Sequence, residues 1–102
     1  MRKSIQLAVV DTAQRLHDAA LLGETTLQEF KILASAQPKP LSPHQIRQIR
    51  RTHHLSQIAF ARLLNANVST LQKWEAGTKF PSGPSLKLIH IVKSKGLQAL
   101  LP

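Results

Sequence analysis

Ile5, Ala8, Val9, Thr12, Ala13, Leu16 and Ala19/Ala20 recur at intervals of three and four residues, the repeat of one helix face. Residues 3 to about 22 are therefore predicted as an amphipathic helix stopped by Gly23, with Gln6, Asp11, Gln14, Arg15 and Asp18 on its polar side. Thr26 and Glu29 stand at capping-box spacing before "LQEFKILA", whose Leu27, Phe30, Ile32 and Leu33 would line a short second helix. A β-branched strand from Thr25 to Leu33 is the alternative for that stretch. The next segment, "AQPKPLSP" (36–43), has three prolines in six residues, which removes donors and disfavours helix before each, so it reads as a linker or an extended strap.

Sharper signals follow. Ser42 is an N-cap, with Pro43 at the first helical position and Gln45 three residues on, opening a helix with Ile46 and Ile49 inward that ends near His53. Ser56 caps the next, with Leu55 and Phe60 placed as a hydrophobic staple and Phe60, Ala61, Leu63 and Leu64 as the inward side. Asn65 tolerates a left-handed turn, and Asn67 caps a third helix that Gly77 stops. After the loop "TKFPSGP", Pro84 or Ser85 opens a fourth through Lys93, with Leu86, Leu88, Ile89, Ile91 and Val92 apolar on more than one side. Leu97, Leu100 and Leu101 would form a last turn.

Within "VSTLQKWEAG", projection at 100° per residue puts Leu71 and Trp74 together and leaves Ser69, Gln72, Lys73 and Ala76 opposite them, flanked by Val68 and Thr70. Two short helices, the second preceded by a three-residue turn, have the geometry of a helix-turn-helix, which lays its second helix in the major groove of DNA. Small side chains at its start permit close approach, and Gln, Asn, Ser and Lys match the donors and acceptors of base edges.

Charge supports that assignment. The chain carries a formal +9, with 14 Lys and Arg against 5 acids. Residues 1–40 hold five bases (Arg2, Lys3, Arg15, Lys31, Lys39) and four acids (Asp11, Asp18, Glu24, Glu29), a near balance, whereas Glu75 is the sole acid among residues 41–102. A polyanion would meet the second part. A single domain with an appendage is expected from 102 residues.

Other chemistries find little support. The sequence has no cysteine, which removes thiolate zinc sites and cysteine nucleophiles. His44, His53 and His54 are close in sequence, but adjacent helical residues point about 100° apart and do not make the i, i+4 pair of a zinc helix. No metal or other cofactor is expected, and no carboxylate pair or Ser/His/acid set suggests an enzyme. "MRKSIQLAVVDTAQ" meets Asp11 too soon to be a signal-peptide core, and no apolar run reaches about 18 residues, so a cytoplasmic location away from membranes is expected.

"LSPHQIRQIRRTHHLSQIAFARLLNANVSTLQKWEAGTKFPSGPSLKLI" resembles the Xre-type, lambda-repressor-like helix-turn-helix family, and more closely the HigA-type antitoxins of bacterial toxin–antitoxin pairs. The "SQ", "FA", "LL", "WE" and "PSGP" elements fall at that spacing, and "TAQRLHDAALLGETTLQEFKIL" and "KSKGLQALL" also look like members of this group. The resemblance implies an all-α protein: an N-terminal helical extension (1–40) and a helix-turn-helix domain (41–102).

It further implies that Gln57 holds a phosphate, that Asn67, Val68, Ser69, Thr70 and Lys73 approach bases or neighbouring phosphates, and that Arg50 pairs structurally with Glu75. Gln72, Arg62 and Lys79 complete the candidate DNA-binding set, with Arg47, Arg51, Lys87 and Lys93 as further phosphate neutralisers. The sequence departs from the family's pattern twice. Asn65 replaces the usual turn glycine, and Val68 stands where Arg is common, exchanging a guanine reader for a group that touches a thymine methyl.

The implied partners are double-stranded operator DNA, a protein toxin of the HigB/RelE type and a second copy of the chain, with the fourth helix of the domain as dimer contact. Residues 1–40 are then either the toxin-binding segment or a support for the dimer and core. The implied function is a sequence-specific antitoxin that neutralises its toxin and represses its own operon. The alternative is a solitary repressor without a toxin.

Overall fold

The computed structural model describes residues 3–102, with side-chain surroundings from Leu7 onward, so Ile5 and Gln6 lie outside the described side chains. Six α-helices and a terminal 3-10 turn follow one another: α1 Lys3–Asp18, α2 Glu24–Ala34, α3 Pro43–Thr52, α4 Gln57–Leu63, α5 Val68–Ala76, α6 Gly83–Lys95 and the turn Leu97–Leu100. The fold is all-α. The helices fall into two units, one ending at Gln37 and one running from Pro38 to Pro102.

In the first unit α1 and α2 form a helical hairpin. Helix α1 ends at Asp18, a turn earlier than the periodicity predicts, and Gly23 is not its stop. Ala20 takes the left-handed conformation (φ 59°), while Leu21 N–H donates to the Leu16 carbonyl (2.8 Å) and Ala20 N–H to that of His17 (2.9 Å). These two reversed bonds form a Schellman ending, which satisfies carbonyls that the helix would otherwise orphan. Gly23 instead stands in extended conformation before α2.

Helix α2 begins at Glu24 rather than at a Thr26 cap, and no side-chain cap closes its start. Gln28 donates to Glu24 across one turn (2.8 Å), so the first turn is braced from inside the helix. The strand alternative does not form. Of the four apolar residues expected to line α2 only Leu27 is buried, joined by Ala34. Phe30, Ile32 and Leu33 face solvent, with Leu33 82% exposed.

The second unit packs α3 to α6 around Ile46, Phe60, Leu71, Ile89 and Val92, with Trp74 inside the same cluster. Burying a side chain of this size stabilises by roughly 1.5–3 kcal/mol, so the cluster dominates the unit. The caps of its first two helices are local and closed by side chains. Gln45 N–H donates to Ser42 Oγ (3.1 Å) and Ser42 N–H to Gln45 Oε1 (2.9 Å), a reciprocal capping box before α3, and Ser56 Oγ accepts from Ala59 N–H (3.1 Å) at α4.

Schellman endings recur at His54 (φ 57°) after α3, Asn65 (φ 56°) after α4 and Gly77 (φ 81°) after α5. At Gly77 glycine is favoured on two counts, its positive φ and the space, because a Cβ would sit 3.3 Å from the Pro43 ring, which would have to give slightly. Helix α6 starts at Gly83 and continues to Lys95, two residues past the expected end. Leu86, Ile89 and Val92 point inward. Leu88 and Ile91 on α6 are half-buried, and the large exposed apolar residues of this unit are Ile58, Phe80 and Leu101. The proline segment is a strap on this unit: Leu41 plugs the core, and the Lys39 carbonyl lies 2.7 Å from His90 Nε2 on α6.

Candidate DNA-reading face

Helix α5 is held from behind and free in front. Leu71 and Trp74 anchor its inner side, and Asn67, Ser69, Gln72, Lys73 and Ala76 are exposed on the other. Asn67 occupies the N-cap position, yet its side chain makes no cap bond, which leaves its amide unengaged. Val68 and Thr70 are half-buried, and Val68 packs against the core cluster, so only part of its side chain faces outward. The two helices before and at this face, α4 and α5, are joined by the tight Leu64–Asn67 turn that Asn65 closes.

The rear of α5 is fixed by Glu75, 4% exposed and the buried charge among the described residues. Arg50 grips it with two prongs, Nε to Oε2 at 2.8 Å and Nη2 to Oε1 at 2.9 Å, and its remaining Nη1 donates to the Leu55 carbonyl at 3.1 Å. One guanidinium thus joins α3, the turn into α4 and the end of α5. The Glu75 bond and charge hold the Arg50 guanidinium above its usual pKa in spite of burial. Arg47, one turn earlier on α3, donates to the Glu75 backbone carbonyl at the negative end of α5. That half-buried contact points Arg47 into the protein, away from the role of phosphate neutraliser expected of it.

Gln57, the first residue of α4, sits between these groups. Its Nε2 lies 3.4 Å from Glu75 Oε1, and its Oε1 lies 3.4 Å from Gln72 Nε2 on the outer face of α5. Gln57, Gln72, Ser69 and Lys73 therefore share one neighbourhood on α4 and α5. Lys79 is exposed just beyond α5, where its backbone N–H donates to the Lys73 carbonyl at 3.3 Å. Arg62 is exposed at the end of α4 and lines a shallow cavity of about 400 Å³ with Leu55, Ala59, Leu63, Leu97, Leu100 and Leu101. This places Arg62 beside an apolar hollow rather than with the α5 group. Arg51, Lys87 and Lys93 are exposed.

Sequence reasoning did not anticipate the glutamine bridge or the inward use of Arg47. Arg47 and Arg50 lie three apart on one face of α3, opposite the sole acid of residues 41–102, and that was the available signal. Among the described residues no three His, Cys, Asp or Glu side chains cluster as metal ligands, and no helix is long and apolar enough to cross a membrane.

Comparison with known proteins agrees with this geometry. Residues 46–91, from α3 into α6, match the helix-turn-helix family model. Over 53 residues the chain is 38% identical to "Antitoxin HigA-2" of Vibrio cholerae serotype O1, a match spanning 52% of this chain and 51% of that relative. The chain thus aligns with about half the length of the curated relative it matches. By fold, motif and similarity, residues 46–91 of the C-terminal unit resemble a helix-turn-helix domain, carried on a chain that is similar over about half its length to a HigA-type antitoxin.

Proposed function

We propose that the protein is an antitoxin: its helix-turn-helix unit binds a double-stranded operator and represses its own operon, and its α1–α2 hairpin neutralises a protein toxin of the HigB/RelE type. It works in the cytoplasm as a homodimer and performs no chemistry. The observation that carries the DNA half is the exposed polar and cationic outer face of α5, braced from behind by Arg50 and Glu75. Two such helices in a two-fold dimer would enter successive major grooves about 34 Å apart. Gln57, Asn67, Val68, Ser69, Thr70, Gln72 and Lys73 would face the duplex, with Lys79 and Arg62 towards the phosphates.

The toxin half is supported by the first unit. Six of its large apolar residues, Leu7, Leu16, Leu21, Phe30, Ile32 and Leu33, are exposed, and its charge is near balance, so it suits a protein surface better than a polyanion. The similarity to an antitoxin points the same way.

Co-expression of the chain with the product of the neighbouring gene, followed by growth, tests the reading. Arrest by the neighbour alone and rescue by this chain are expected. Leu33→Asp, at a position 82% exposed, should leave folding within about 0.5 kcal/mol and abolish the rescue. A harmless neighbour would leave a solitary repressor.

A further inference from the structure

Amide nitrogen and oxygen are nearly alike in shape, but their partners here decide which is which. Both oxygens of Glu75 accept from Arg50, so Glu75 is a carboxylate with only acceptors to offer. Gln57 must then turn its NH2 towards Glu75 and its carbonyl towards Gln72. Gln72 must in turn direct an N–H to that carbonyl. One N–H of Gln72 is thereby engaged, and its second N–H and its carbonyl oxygen remain on an exposed side chain.

That free edge has one donor beside one acceptor. Adenine presents the complement in the major groove, an N7 acceptor beside the N6 amino donor, whereas a phosphate has only acceptors and would oppose the outward carbonyl. We propose that Glu75, acting through Gln57, fixes the direction of the Gln72 amide and makes Gln72 the adenine reader of α5. Gln57 is then a positioning residue as well as a neighbour of the backbone. The proposal rests on the DNA-binding reading above. It assigns specificity to the middle of α5, where Val68 at its start has no polar group to offer.

The test uses the full chain, a pool of randomised duplexes and then single-base variants of the best selected duplex. The wild type is expected to select an A·T pair at one position in each half-site. Gln72→Ala should cut discrimination at that position by about 5- to 150-fold and leave preferences elsewhere intact. Gln57→Met keeps the length of the side chain but not its amide, and should weaken the same preference while the melting temperature holds. The proposal is overturned if Gln72→Ala weakens all duplexes equally with a shallower salt dependence, the mark of a phosphate contact, or changes nothing. It is overturned too if Gln57→Met spares the preference at that position. A wild type that selects no sequence would instead bring down the sequence-specific reading itself, and this inference with it.

Discussion

In the helix-turn-helix unit eleven apolar side chains are buried in one cluster, and the starts of α3 and α4 are closed by Ser42 and Ser56. In the α1–α2 hairpin the described buried residues are Ala13, Leu27 and Ala34, two of which are as small as an apolar side chain can be. Leu33, Leu21 and Ile32 meanwhile stand 70–82% exposed there. The hairpin has the helical periodicity of a folded element and little interior of its own. A surface of that kind gains stability by docking against another molecule, whereas the helix-turn-helix unit is complete before it meets one.

Core truncation should separate the two units most clearly. Phe60 is fully buried in the cluster, so Phe60→Ala should cost about 3–5 kcal/mol and nearly abolish the main unfolding transition in urea. Leu27, 2% exposed, is nearly as buried, but the other buried residues described in its unit are only Ala13 and Ala34. Leu27→Ala should therefore leave the main transition in place and only speed amide exchange in α1 and α2. Equal losses from both substitutions would mean that the hairpin shares the cooperative core, and the contrast would fail.

The ion pair gives the next effect. Arg50→Ala strands the Glu75 carboxylate, 4% exposed, without its partner and should cost about 3 kcal/mol. Replacing both, as Arg50→Met with Glu75→Leu, should recover most of that loss, because the penalty comes from the abandoned charge. The double variant should still lose discrimination at the A·T position if Glu75 directs the glutamines. Among its described residues the hairpin offers no equivalent: its Arg15–Asp11 pair (2.9 Å) and His17–Glu24 contact (2.7 Å) join exposed carboxylates, where ion pairs are worth little.

How far the sequence revealed these features depends on the range over which each is determined. The Ser42 and Ser56 caps and the Gly77 stop were legible because each is set within four residues by side-chain chemistry or by φ. The inward Leu71 and Trp74 followed from helical period alone. Periodicity misled at α2, because it shows that Phe30, Ile32 and Leu33 are apolar and not whether anything covers them. The Gln72–Gln57–Glu75 bridge joins residues 15 and 18 positions apart, and only the packed positions of α4 and α5 bring them together. The left-handed stops at Ala20 and His54 were hidden for a similar reason, since alanine rarely adopts that conformation and histidine, though more tolerant, is a weak marker of it.

Those two stops supply the smallest and most direct comparison, because each unit contains the same motif closed by an unsuitable residue. A non-glycine residue held left-handed carries about 1–2 kcal/mol of strain, and glycine relieves it while adding about 0.4–1 kcal/mol of unfolded-chain entropy. His54 is exposed, so His54→Gly removes little else and should stabilise the main transition by somewhat under about 1 kcal/mol. Ala20→Gly relieves the same strain at the end of α1, but there the gain should appear only as slower amide exchange across the hairpin, with the main melting temperature unchanged. If Ala20→Gly raised that melting temperature as much as His54→Gly, the hairpin would be unfolding together with the DNA-binding unit, and its exposed apolar residues would belong to a fold already complete.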